Sequence, residues 1–439
     1  MTKRMKVIEG IKSLLILLLI CSAVFLASRT ALRGPLTDLL SPELNTNTAG
    51  VYHLPTQRVE MARPVRMAAA IPGEGRTLRY GVQYDPAACD ALFQQGASLL
   101  VEALSSASQP REISREEWQR ALTAAPNLYF DFLGRLPLAL LANWLSAPDC
   151  TLTGTARQLV LTTEGEKVLL CYRDTEENKY YAWTAGVVNP EHLVQAVSTL
   201  SDNGAFFAFE SEEYAAIDPD TLILQDTPQP GVYQSANPLN GEGDGLTQIL
   251  NDLYFPQEST AFYSAGDERV ARNGGESIRL SRRGVLEYSC DSTGDSRYVI
   301  TDRREICTLT EIGDYCRFLA QRALGQRCGQ ARLYLSAIGQ EEDGSVTLSF
   351  DYCLEGARVT LEGGPAASFL VKDGRVVQFT LRCRRYTLSE QTALLLPECQ
   401  AMAILEQLDG RGEELQLLYL DQGGETVSAQ WAAGSGIGG

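Results

Sequence analysis

Arg332-Leu-Tyr-Leu-Ser336 followed by Gly344-Ser-Val-Thr-Leu-Ser-Phe-Asp-Tyr352 reads as two strands joined by a turn, and a helical period over Thr310–Leu324 precedes them. The same grammar returns later in the chain. A helical stretch from Pro397 to Leu408 leads into Gln416-Leu-Leu-Tyr-Leu-Asp421, a turn at Gly423-Gly424, and Glu425-Thr-Val-Ser-Ala-Gln-Trp431. Helix then hairpin, twice, with further strands at Arg358–Glu362 and Arg375–Arg382 between the copies, predicts helices laid on antiparallel sheets, an α+β fold. Ser277–Ser281 and Val285–Ser289 alternate apolar and polar residues around Arg283-Gly284, which predicts a hairpin with one solvated face.

Upstream, the pattern is again mixed. A helix is predicted over Pro86–Ser105, apolar at Cys89, Leu92, Phe93, Leu99, Leu100 and Leu104. Ser114-Arg-Glu-Glu117 is a capping box that opens a helix through Leu122. Leu128–Leu133 reads as a strand, Leu136–Leu145 as a short helix, and Gln158–Arg173 as a hairpin turning at Glu164-Gly165. Tyr180–Trp183 adds a strand and Pro190–Leu200 a helix. Clusters of Pro, Gly and Asp then mark residues 205–240 as a linker.

The first thirty residues are of another kind. Lys3, Arg4, Lys6 and Lys12 precede Ser13–Ser28, in which every residue from Leu14 to Ala27 except Ser22 is apolar. With Ile11 to Ser13 the run reaches the lower limit of about 17–18 residues for a membrane span. Basic residues ahead of it favour a cytoplasmic N-terminus. The competing reading is a cleaved secretory signal, which needs small residues three and one before the cut; Phe25/Ala27 fails on Phe25 and Arg29/Ala31 on Arg29. A retained transmembrane helix is therefore expected, with the bulk of the chain outside the cell membrane. The expected divisions are a cytoplasmic tail (1–10), the transmembrane helix (11–28), a stalk (29–50), a first α+β domain (51–204), the linker (205–240), a hairpin-containing segment (241–305), a C-terminal α+β domain (306–433) and a tail (434–439).

The formal net charge is −17, and residues 1–12 carry +3 of it, so the remainder stands at −20. Such a body is repelled by nucleic acid and by anionic lipid. Ten of the eleven cysteines lie outside the apolar run, at wide spacings and with no Cys-x-x-Cys. Two readings stay open for them: one or two disulfides, with Cys353–Cys383 as the pair considered, or buried thiols serving as small hydrophobes. Only His53 and His192 are present, neither beside a ligand cluster, and no metal or other cofactor is expected.

No catalytic motif appears: no Gly-x-Ser-x-Gly elbow, Ser-x-x-Lys, His-Glu-x-x-His or phosphate-binding loop. Gly241-Glu-Gly-Asp-Gly245 lacks the ligand alternation of a calcium loop and reads as a solvated turn. The paired glutamates, such as Glu116/Glu117 and Glu341/Glu342, point apart on either a helix or a strand. Trp118, Trp144, Trp183 and Trp431 fall in periodic segments and are expected in the core.

Several stretches together resemble the YycH/YycI family of Gram-positive bacteria: the basic tail and single apolar run, Leu54-Pro-Thr-Gln-Arg-Val59, Ser114-Arg-Glu-Glu-Trp118, Asn127-Leu-Tyr-Phe-Asp-Phe132, Gly284-Val-Leu-Glu-Tyr288 and Leu396-Pro-Glu-Cys-Gln-Ala401. Each is weakly specific alone. The resemblance implies a non-enzymatic, membrane-anchored regulator of the WalK (YycG) sensor histidine kinase, a two-component system of the cell wall. Its anchor would touch the kinase's transmembrane helices, and its extracytoplasmic body would associate with a sister protein of the same family. Ser22, Ala23 and Ala27 form a stripe of small residues on which a neighbouring helix can approach, and are the candidate partner-binding residues; a plain lipid-facing anchor is the competing reading. The rivals from other classes are an exported cell-wall or peptide hydrolase, and an inhibitory or chaperone module, since the helix-plus-hairpin repeats resemble PepSY-type domains.

Overall fold

The computed structural model describes residues 62–434 apart from 74–77, 107–108, 148–149, 151, 153, 175–176, 240–244, 302–306 and 408–411. The apolar run and the Ser22, Ala23, Ala27 stripe lie outside the described residues. Among those described, no helix is long and apolar enough to cross a membrane.

The first half builds a seven-stranded sheet from β1 (Arg66–Ile71), β2 (Leu78–Gln83), β3 (Arg111–Ile113), β4 (Asn127–Pro137), β5 (Thr155–Glu164), β6 (Lys167–Asp174) and β7 (Lys179–Thr184). The order is β2-β1-β4-β5-β6-β7-β3, and every pairing is antiparallel. One face is covered by α1 (Pro86–Ser105), α3 (Leu138–Trp144) and α4 (Pro190–Val197); the other by α2 (Arg115–Thr123) and Phe207. α1 occupies the predicted span: Asp85 caps it by accepting from the amides of Ala87 and Ala88, and Pro86 sits where no N–H is needed. The Ser114/Glu117 capping box forms as read.

One boundary moves. The strand predicted to end at Leu133 continues to Pro137, and the following helix starts at Leu138 rather than Leu136. Pro137 biases Leu136 to extended backbone, and both residues pair with β5, Leu136 with Ala156 and Pro137 with Thr155. The extra residues of β4 between Asp131 and Leu136 bulge out of the sheet.

The second half is an eleven-stranded sheet. Its strands are β11 (Ala261–Ala265), β12 (Glu268–Asn273), β13 (Glu276–Leu280), β14 (Val285–Cys290), β15 (Arg332–Gln340), β16 (Val346–Leu354), β17 (Ala357–Leu361), β18 (Ala367–Lys372), β19 (Arg375–Arg382), β21 (Glu414–Asp421) and β23 (Ala429–Gly434). They run β11-β12-β13-β14-β19-β18-β16-β17-β21-β23, with β15 also on β16. All pairings are antiparallel except β17 with β21. Both helix-then-hairpin units form: α6 (Leu309–Ala320) before β15 and β16, and α7 (Glu398–Gln407) before β21 and β23. The first of these helices ends in a wide π turn over Gln321–Gly325. The stretch read as a linker holds β8 (Phe206–Phe207), β9 (Leu222–Ile223) and β10 (Gly231–Ala236); the last pairs with β20 (Arg385–Thr392) and β22 (Thr426–Val427). A short helix, α5 (Gly245–Asp252), follows.

One apolar core runs from Met67 and Leu100 in the first half to Phe350 and Tyr419 in the second. α3 and α6 meet closely at Gly313, where an added Cβ would lie 2.7 Å from Leu140 Cδ2. Beside that contact, Trp144 Nε1 and Asn143 Nδ2 donate to the two oxygens of Asp314 at 2.6 and 3.0 Å. Trp118, Trp144 and Trp183 are buried as expected, while Trp431 is half-buried.

The ten described cysteines are free thiols, which removes the Cys353–Cys383 pair. Cys353, near the end of β16, packs in a small cluster with Tyr334, whereas Cys383, just past β19, packs in the main core. Both thiols are buried as small hydrophobes, and burial pushes each up to about 12.

At the β4 bulge, Gly134 lies against β15. An added Cβ there would sit 2.0 Å from the backbone oxygen of Leu335, and neither backbone can give way cheaply. Gly134→Ala is expected to cost about 2–3 kcal/mol by overpacking, read as a lowered urea midpoint; an unchanged midpoint would show that the two halves do not touch there.

Candidate functional site

Asp131, Arg157 and Arg66 are charged residues inside apolar strand runs, and all three are almost fully buried. Regular alternation would place Arg157 on the opposite face of β5 from Gln158 and Val160. An extra residue in β5 between Ala156 and Leu159 resets the alternation, and Arg157 turns towards Asp131. Its Nε and Nη2 donate to the two oxygens of Asp131 at 2.8 and 2.6 Å; its Nη1 and Nη2 also donate to Glu414 at 2.6 and 2.8 Å. Arg66, paired in register with Asp131, donates to Glu414 as well. Two guanidiniums and two carboxylates thus fasten the start of β21 to the first sheet. Burial pushes the Glu414 carboxyl up, but Arg157 and Arg66 outweigh it and hold the group well below the usual carboxylate range.

Above this cluster the β4 bulge opens a cavity of about 280 Å³. Three parts of the chain meet around it: Arg135, Arg157, Gln158, Arg173 and Asn178 from the first sheet and its turns, Asp218, Asp220 and Thr221 from the stretch read as a linker, and Gly412 and Glu414 from the start of β21. Backbone bonds hold the middle part in place: Asp218 N donates to Glu413 O at 2.9 Å and Gly412 N to Ala216 O at 2.7 Å. Asp220 accepts from Trp118 Nε1 at 3.1 Å and lies 3.7 Å from Arg173. Burial, helped by Asp218, raises Asp220 to about 6 against the pull of Arg173. Among the described residues, no serine, cysteine or histidine lines the cavity. Among the described residues, no group of three His, Cys, Asp or Glu side chains is placed to hold a metal ion.

A second feature is apolar. Leu394, Leu396, Ile404, Leu405, Leu415 and Trp431 border a groove of about 520 Å³ between α7 and β23. Leu394 is wholly exposed, and Leu396 and Ile404 are nearly half exposed. β23 is the outermost strand of its sheet. Trp431 is held at the groove wall by donating to Leu396 O at 2.8 Å and by an edge contact with Tyr84 at 6.4 Å. Exposed apolar surface gathered in this way marks interaction sites.

Sequence reasoning pointed only to the Ser22, Ala23, Ala27 stripe, and missed both features. The charged cluster joins residues up to 348 positions apart. Its one local signal is a charge inside an apolar strand, as in Leu128-Tyr-Phe-Asp-Phe-Leu133.

The two sheets, antiparallel in every pairing but β17 with β21, and the helices packed on them define an α+β body. No family model and no curated protein matches the chain. Its fold is similar to the crystal structure of YycH from Bacillus subtilis: TM-score 0.52 at 11% identity, covering 88% of this chain and 96% of that one.

Two predictions follow from the charges. Arg157→Met leaves Asp131 and Glu414 short of donors in the interior, so stability should fall by about 3–5 kcal/mol in urea unfolding; a loss within error would make the cluster ornamental. Glu398, at the start of α7, carries a buried oxygen with no hydrogen-bond partner, and burial raises its carboxyl to about 8, eased by Arg66. Its folded value is raised, so it costs stability increasingly as pH climbs from about 4.5 to 8. Glu398→Gln should therefore stabilise by about 2–4 kcal/mol at pH 8 and change little at pH 4; equal effects at both would refute the assignment.

Proposed function

We propose that this protein is a non-enzymatic, single-pass membrane regulator of a two-component sensor histidine kinase that controls cell-wall homeostasis. The supporting observation is the fold likeness to YycH across 88% of the chain, joined to the basic tail and apolar run at Leu14–Ala27. The run serves as the anchor, with the body outside the cell. Ser22, Ala23 and Ala27 lie against the kinase's transmembrane helices. A sensor whose helices have two packings is biased by any neighbour that prefers one of them, and small residues let a neighbour approach closely in lipid.

The body associates with a sister protein of the same family. The Leu394–Leu396 and Ile404 groove is the surface that suits this role, because it exposes apolar side chains beside an outer strand. The two helix-then-hairpin units are read as PepSY-like. A hydrolase reading draws on the carboxylates around the charged cavity. It is the weaker one, since Glu414 is saturated by two guanidiniums and, among the described residues, no nucleophile–base pair lines the cavity.

Ala23→Leu and Ala27→Leu should each change kinase-dependent reporter output in cells while leaving the urea midpoint of the chain unchanged. Leu396→Asp should weaken capture of the sister protein by about tenfold or more, as expected for a buried apolar anchor. Unaltered reporter output in both anchor variants would remove the transmembrane mechanism, and undiminished capture would remove the groove.

A further inference from the structure

The charged cavity carries features that structural packing does not require. Its lining balances: Arg135, Arg157 and Arg173 on one side of the account, Asp218, Asp220 and Glu414 on the other. A lone anion would face three carboxylates there and a lone cation three guanidiniums, so neither gains much. A molecule carrying both charges gains at both ends.

The donor and acceptor positions are also uneven. Asp220 is 1% exposed and its Oδ1 has no hydrogen-bond partner; its neighbour Thr221 is 4% exposed and its Oγ1 has none either. A buried carboxylate oxygen left unmatched costs on the order of 1–3 kcal/mol or more. Both residues belong to the turn at the cavity wall and ask for a donor; an ammonium brings three. Beside them, Arg173 lies 3.7 Å from Asp220 and places two of its bonds on Asp218 (3.4 Å) and Asn178 (3.1 Å), the first of them long. A guanidinium has five N–H donors in a fork that suits a carboxylate. Volume weighs against a single structural water: water occupies about 30 Å³, and the cavity measures about 280 Å³.

We propose that this cavity binds a small zwitterion of amino-acid to dipeptide size, with its ammonium at Asp220 and Thr221 and its carboxylate at the Arg173 and Arg135 side. Because the walls come from the first sheet, the 218–221 turn and the start of β21, an occupant joins all three. The site stands on its own geometry and holds whether or not the chain regulates a kinase.

The test is isothermal titration calorimetry on the full chain with L-alanine and L-alanyl-L-alanine, against acetate, ethylamine and glucose as single-charge and neutral controls. One-site saturation by at least one of the two zwitterions is expected, with acetate, ethylamine and glucose each binding far more weakly. Asp220→Asn and Thr221→Val should each weaken that binding by about tenfold or more, the value of a hydrogen bond to a charged group. Thr221→Val is nearly isosteric and decides the matter if Asp220→Asn fails to fold. The proposal is overturned if neither zwitterion gives saturable heat at millimolar concentration, if acetate or glucose binds as well as the zwitterions, or if Thr221→Val leaves the affinity unchanged.

Discussion

The Arg157 guanidinium is shared between Asp131 of the first sheet and Glu414 of the second, and the rest of the architecture depends on this sharing. Taking four charged groups out of water is expensive, and an apolar substitute of the same shape is often as stable. What such a cluster supplies is register. It accepts one placement of β21 against β4 and β5, because any slip leaves a charge unpaired in the interior. The bulges in β4 and β5 serve the same end: one turns Arg157 inward, and the other brings Gly134 against Leu335 and opens the cavity.

Around that fastening, apolar contacts continue the join. The Leu140–Gly313 approach, the Trp144 and Asn143 bonds to Asp314, and a core shared by both sheets make the described residues one mechanical body. A body of this kind suits the proposed regulatory role. In the proposed role, force or occupancy felt on the body has to reach a helix in the membrane, and a body hinged in the middle would dissipate it. The cavity sits where three parts of the chain converge, so its contents bear directly on the join.

Local structure was largely legible in the sequence. Capping residues such as Asp85 and Ser114, the strict alternation of Ser277–Ser289, and the repeated helix-then-hairpin pattern each act over a few residues, and each reappears in the structure. Long-range features were not legible. Nothing near Glu414 announces Arg66 or Arg157, and nothing in Asp218–Thr221 announces a cavity wall, because those partners are chosen by topology. The extension of β4 through Pro137 was missed for a related reason: the local helical pattern of Leu136–Leu145 yields where pairing with Thr155 and Ala156 is available. The half-buried setting of Trp431 likewise depends on α7 standing off from the outer strand, which periodicity alone does not reveal.

The most direct test of the shared-charge join is native-state hydrogen exchange on the full chain, comparing amides of β5 in the first sheet with those of β21 in the second. If Arg157 and its partners fasten the halves into one cooperative unit, the slowest amides of both strands exchange with the same opening free energy and the same denaturant dependence. If β21 opens far more readily than β5, the halves are separate units and the fastening at Arg157 does not govern the fold.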